Sequence, residues 1–231
     1  MLVNMHLLLV IALITAVVAA VVISQVLAAR RRKALAAWAA SRGLAFSTEK
    51  SYELDNRYPS FSRLTQGDNR YACNISWGRI KGRLVTAFDY HYETYSTHKG
   101  RRQTHHHHFS AIVVEPGLFL KPLLIRPETF FDKLTEFVGF DDIDFESTEF
   151  SRKFFVKAQD RKWAYDIIQQ STMEFLLASQ RFSLEFARQA LIAYTGSTFP
   201  VATFEAALDV IEGVLDRIPE SLIKECTEPQ L

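Results

Sequence analysis

The chain has 231 residues, a formal net charge of +1, 48% hydrophobic residues and two cysteines. Five of its 27 Lys and Arg residues, Arg30, Arg31, Arg32, Lys33 and Arg42, precede Gly43, whereas all 26 acidic residues follow it. The body of the protein is therefore mildly acidic and has no basic stripe, which excludes nucleic acid as an expected partner. Cys73 and Cys226 lie far apart in no metal-like spacing and read as inert thiols of a reducing compartment.

From Leu7 to Ala29 the chain is apolar apart from Thr15, Ser24 and Gln25. As a helix this run is roughly 35 Å long, enough for a hydrocarbon core of about 30 Å. Arg30-Arg31-Arg32-Lys33 follows at once, and the tip before the run has no charged side chain. The positive-inside rule then predicts a single-pass anchor with its N-terminus outside and its domain in the cytoplasm. A cleaved signal peptide would carry its basic residues before a shorter apolar stretch; here they sit on the other flank, although Leu27-Ala28-Ala29 could pass for a cleavage site. The four cations are expected to set topology and to meet anionic headgroups. The chain thus divides into an anchor (1–29) contacting the bilayer through residues 7–29, a basic juxtamembrane helix (30–43), an α+β domain (44–224) and a loose tail (225–231).

Residues 33–42 have high helix propensity, with Leu35, Trp38 and Ala39 on one face and Gly43 placed to end the helix. The membrane helix should continue into the cytoplasm, with Trp38 packing onto the domain. Ser47–Asn69 is polar and reads as a long connection with one helical turn. Strands are expected at Tyr71–Ile80, Arg83–Ser96, Gln103–Glu115 and Leu118–Ile125, punctuated by Gly78, Gly82, Gly100 and Pro116-Gly117. Connections this short join antiparallel neighbours, which predicts a β-meander.

Phe130, Phe131, Leu134, Phe137 and Val138 follow a helical period between Pro127 and Gly139. The acidic segment Asp141–Glu146 reads as a solvated turn with Ile143 and Phe145 pointing inward. Phe150–Lys157 is expected as a strand, and Asp160 as the cap of a helix bearing Trp163, Ala164, Ile167 and Ile168. Another helix should cover Ser171–Ala178, followed by a hairpin turning near Arg188-Gln189. Phe204, Ala207, Leu208, Ile211, Leu215 and Ile218 mark a final amphipathic helix stopped by Pro219. The fold class is α+β: an N-terminal transmembrane helix, then an antiparallel meander with packed amphipathic helices.

One stretch carries chemistry. Asp89, His91 and Glu93 share one side of a strand, and His105-His106-His107-His108 lies on the strand facing it. If the turn centres between Lys99 and Gly100, Glu93 faces His106 and His91 faces His108; a one-residue slip substitutes His105 and His107. Imidazole and carboxylate together are a ligand set for zinc or another transition metal. The competing interpretation is a polar, partly wet sheet face on which histidines and acids hydrogen-bond one another. Phosphate-cradling loops, a G-x-S-x-G elbow and a catalytic cysteine context are all missing.

The segments Glu149–Ile168, Phe88–Thr94 and Gln103–Phe109 resemble uncharacterised bacterial single-pass membrane-anchored proteins, over a span of Arg30 to Pro219. The resemblance implies a natural origin for the histidine run and a location at the bacterial inner (plasma) membrane, and brings no activity or cofactor with it. The expected role is a membrane-anchored cytoplasmic binding or scaffold domain with a protein partner at the membrane, and not an enzyme. The alternative is a metal-binding protein, hydrolytic in one version, using His91, His106, His108, Glu93 and Asp89.

Overall fold

The computed structural model describes residues 2–98, 101–128 and 141–227. It opens with α1 (Leu2–Ser41), one unbroken helix of 40 residues and about 60 Å. Gly43 ends it in the left-handed conformation at φ +68°. Gly43 N–H donates to Ala40 O, and Leu44 N–H to Ala39 O at 2.8 Å, the paired bonds of a Schellman cap that glycine makes without steric cost. Every residue from 10 to 27 of α1 is exposed, in a segment long and apolar enough to cross a membrane. One stripe then turns inward: Ala28 and Arg31 are half-buried, and Leu35, Trp38 and Ala39 are buried. This is one helical face, so the domain begins on the same rod that carries the apolar segment.

The body is a nine-stranded sheet in the order β1-β2-β3-β4-β9-β8-β5-β7-β6. Its strands are β1 (Ala45–Ser47), β2 (Asp68–Ile80), β3 (Arg83–His98), β4 (Arg101–Glu115), β5 (Leu120–Pro127), β6 (Asp141–Asp142), β7 (Phe154–Ala158), β8 (Ser183–Arg188) and β9 (Ala190–Tyr194). Each neighbouring pair is antiparallel. The helices after α1 are α2 (Leu54–Arg57), α3 (Ser62–Thr65), α4 (Thr148–Lys153), α5 (Arg161–Ile167), α6 (Gln170–Ala178), α7 (Val201–Leu215) and α8 (Glu220–Thr227). The fold is α+β.

The meander holds for β2-β3-β4 and then breaks. The β8–β9 hairpin is inserted between β4 and β5, leaving those two sequence neighbours about 14 Å apart at three strand spacings. Residues 116–119 bridge the gap, because five chain steps reach about 17 Å when extended. A short connection therefore fixed antiparallel direction but not adjacency.

Each sheet face buries its own core. One is filled by Leu35 and Trp38 of α1, Phe204, Leu208 and Ile211 of α7, and Val85, Ala87, Ile112 and Val114 of the sheet. The other holds Phe88, Tyr90, Tyr92, Phe109, Ala111 and Val113, covered by Leu54, Tyr58, Phe61 and Leu64. Those four come from the segment expected as a polar connection; it forms α2 and α3 and closes the second face. Arg63 of this cover is buried, its guanidinium 4.7 Å from the Phe109 ring centroid.

Further differences are local. Phe150 sits in α4 rather than in a strand, because Ser147 caps a helical turn there by accepting from Phe150 N–H at 3.2 Å; β7 starts only at Phe154. α7 ends at Leu215, before the expected Ile218 and Pro219, and α8 starts directly after Pro219 and runs through Glu225, Cys226 and Thr227, three residues expected in the loose tail. The helix expected around Phe130–Val138 lies outside the described residues. Asp160 caps α5 by accepting from Trp163 N–H, Ile143 is buried, and the β8–β9 hairpin turns at Arg188 (φ +52°).

One glycine of α7 is a packing requirement. A Cβ on Gly213 would stand 2.1 Å from Cζ of Phe175 in α6. Helix propensity favours Gly213→Ala by about 1 kcal/mol, but overpacking costs about 1–3 kcal/mol. Gly213→Ala should lower the thermal midpoint of the detergent-solubilised chain, and Gly213→Ala with Phe175→Leu should recover it.

Candidate functional site

The β3–β4 hairpin pairs Asp89 with Ser110, His91 with His108, Glu93 with His106 and Thr94 with His105. With His98 opposite Arg101, this is the first of the two expected registers, so Asp89, His91, Glu93, His106 and His108 share the face that carries α1 and α7. The opposite face takes His107, stacked on Tyr92 at 4.6 Å, and His105, whose Nε2 is 2.7 Å from Ser96 Oγ.

Two irregularities in the adjoining strand β2 aim polar groups at this face. Register shifts occur between Asp68 and Tyr71 and between Cys73 and Ser76. Each contains an asparagine at positive φ, Asn69 at +48° and Asn74 at +50°. Asparagine tolerates this backbone better than other side-chain-bearing residues, and bulges commonly redirect groups in this way. Asn74 Nδ2 donates to Asp89 Oδ2 at 2.8 Å. Asn69 does double duty: its carbonyl lies 3.1 Å from His91 Nδ1, and its Nδ2 donates to Glu93 Oε1 at 2.7 Å.

Asp89 is taken by α1. Arg31 grips it with two parallel bonds, Nη2 to Oδ1 at 2.7 Å and Nε to Oδ2 at 3.0 Å, and Ser110 Oγ donates to Oδ1. The same guanidinium donates through Nη1 to Phe199 O at 2.6 Å. Planar two-point binding of a carboxylate is what arginine does and lysine does not. Two expectations change here. Asp89 is a structural anion instead of a member of the metal group, and Arg31 leaves the headgroup-facing set, whose other members Arg30, Arg32 and Lys33 are exposed.

Past Asp89 the remaining residues converge. His91 Nε2 is 3.2 Å from His106 Nδ1, which is 3.3 Å from Glu93 Oε1. One ligand atom from each of the three lies within 4.8 Å of the others. Tyr71 stacks on His91 at 4.6 Å and buries it, whereas the His106 side chain is 58% exposed. Glu93 also accepts from Tyr95 Oη. The Asn69 amide first, then the Tyr95 hydroxyl and the neighbouring imidazoles, hold its carboxyl below the usual range against partial desolvation. His108 is beside His91, ring centroids 4.8 Å apart, without joining the converging set. Burial, and then His91 and His106, push its pKa down. The sequence pattern named the strand face correctly; the contribution of Asn69 depends on a bulge and has no signal in the pattern.

Leu44, at the end of α1, lies against Gly78, and Arg31 lies against Asp89. Because Gly78 pairs with Val85 of β3, α1 and β3 run side by side in opposite directions, and His91 and Glu93 lie on the end of the domain from which the apolar helix arrives. At the other end a cleft of about 860 Å³ opens between Arg79, Leu84, Glu115, Phe119 and Gln189, under the connection that crosses from β4 to β5.

No protein-family model matches the chain, and no curated protein matches it. Among solved structures, the fold is similar to the crystal structure of the mycobacterial trehalose monomycolate transport factor A, with a TM-score of 0.59 and 14% identity over 82% of this chain and 95% of that chain. At this identity the likeness is one of fold.

Proposed function

We propose that the protein is a single-pass adaptor of a bacterial inner membrane, with its N-terminus outside and its domain held on the cytoplasmic surface to bind a protein partner there. The observation that carries this reading is the unbroken α1, whose exposed apolar segment passes directly into the Ala28-Arg31-Leu35-Trp38-Ala39 stripe docked on the domain. A tether that only concentrates a domain at a membrane can be a flexible linker; a continuous helix sets height and orientation, which matters when the surface must meet a second membrane-embedded component. The fold shared with a transport factor is compatible with an accessory role in moving a molecule at the membrane.

Orientation is tested with Asn4→Cys in a Cys73→Ser/Cys226→Ser background, probed on intact cells with a membrane-impermeant maleimide. Labelling without lysis is expected; labelling only after lysis would reverse the topology. For the partner, a photoreactive residue placed at Arg32 or Phe119 should give a discrete adduct with an integral membrane protein in native membranes. Adducts absent from both positions would remove the adaptor reading.

A further inference from the structure

The His91, Glu93 and His106 group shows three acceptor atoms crowded around the space of one proton. The Asn69 carbonyl can only accept, so the proton of His91 sits on Nδ1 and its Nε2 lone pair points at His106. Glu93 Oε1 is also an acceptor aimed at the same nitrogen. A single hydrogen on His106 Nδ1 must then serve two acceptors 3.2 and 3.3 Å away, both long for strong hydrogen bonds.

A cation fits that space better. A tetrahedral ion with bonds of about 2.0–2.1 Å sets its ligand atoms about 3.4 Å apart, close to the His91–His106 and His106–Glu93 spacings already present, with all three atoms within 4.8 Å of one another. We infer that His91 Nε2, Glu93 Oε1 and His106 Nδ1 form a binding site for a divalent transition-metal ion, zinc being the natural occupant of a two-imidazole, one-carboxylate set. On binding, the His106 proton moves from Nδ1 to the solvent-facing Nε2, so the imidazole stays neutral while Nδ1 turns its lone pair to the ion.

Supporting bonds complete the arrangement. Ligating histidines usually donate their other N–H to a carbonyl or carboxylate, which fixes tautomer and ring orientation, and Asn69 supplies that carbonyl to His91. Its side-chain amide and the Tyr95 hydroxyl orient Glu93. A Cβ on Gly67 would stand 2.2 Å from the Glu93 carbonyl oxygen, so the segment entering β2 is drawn up against this site by a residue without a side chain. His106 is exposed, which leaves the fourth position to water or an outside ligand. The site is independent of the adaptor reading, and it lies at the end of the domain that faces the arriving membrane helix.

The test uses the full chain in detergent micelles, purified through a tag without histidine and stripped with chelator. Zinc is titrated in competition with a chromophoric indicator. One saturable zinc per chain is expected in the wild type, together with a raised thermal midpoint. That step should be lost in His106→Ala and in Glu93→Gln, and weakened about tenfold in Tyr95→Phe. His105→Ala/His107→Ala, on the opposite face, should retain it. The inference is overturned if the wild type shows no saturable one-ion step, or if His105→Ala/His107→Ala loses it as fully as His106→Ala, since the ion would then be held by the histidine run as a string. Circular dichroism checks folding, and the near-isosteric Glu93→Gln supplies the result should His106→Ala misfold.

Discussion

Replacing Arg31 by Ala is expected to destabilise the domain by about 3 kcal/mol, at the lower end of the range for removing one partner of a buried ion pair. Asp89 is only 6% exposed and would keep Asn74 and Ser110 as donors while losing both guanidinium bonds. Phe199 O would lose a bond as well, at the point where the chain enters α7. Arg31→Lys should recover only part of the loss, because an ammonium cannot make the two parallel bonds. Arg31→Met with Asp89→Leu should recover most of it, because well-packed apolar replacements of buried pairs are often neutral. Urea unfolding in detergent, followed by tryptophan fluorescence, reads all three; a loss under about 0.5 kcal/mol for Arg31→Ala, the level of an exposed pair, would mean that the clamp is a surface contact. Insertion should be unaffected, since Arg30, Arg32 and Lys33 still supply the positive flank.

Trp38→Ala should cost about 3–5 kcal/mol, the usual range for truncating a buried aromatic. Trp38 packs on Phe204 at a centroid distance of 5.4 Å, and its Nε1 donates to Glu205 at 3.0 Å, a carboxylate that also pairs with Arg42. Trp38→Phe keeps most of the apolar contact and gives up that hydrogen bond, worth about 1 kcal/mol. A large effect of Ala with a small effect of Phe is the signature of α1 docked by packing. Equal effects would mean that the polar contact to Glu205 is what matters. Two small effects would mean that the helix is not seated on the domain at all, and the adaptor proposal would lose its main support.

Much of this architecture is legible residue by residue. The apolar run, the extension of its helix past the cations and the inward face of Leu35, Trp38 and Ala39 follow from a 3.6-residue period and a terminal glycine. The alternation of β3 separates Phe88, Tyr90 and Tyr92 from His91 and Glu93, but it leaves two hairpin registers open, and only the pairing of His98 with Arg101 selects the one that brings His106 and His108 to the acids. Leu54, Tyr58, Phe61 and Leu64 also stand at helical spacing, but Pro59, Gly67 and the polar residues around them hide the pattern. Their burial depends on a sheet face that exists only once four distant strands have paired.

What the sequence determined by itself is therefore much of the local order: the long apolar helix, the strands of the β2-β3-β4 meander, the apolar faces of α1 and α7, and that two histidines and a glutamate share one side of a hairpin. Tertiary structure decided the rest. It inserted the β8–β9 hairpin between β4 and β5, turned Arg31 from the bilayer flank onto Asp89, 58 positions away, and used bulges at Asn69 and Asn74 to orient the polar face. Periodicity reports which side of an element avoids water, a property of a few adjacent residues. Strand order, ion-pair choice and bulge geometry minimise the free energy of the whole packed domain, in which a buried carboxylate takes the cation that can reach it regardless of separation along the chain.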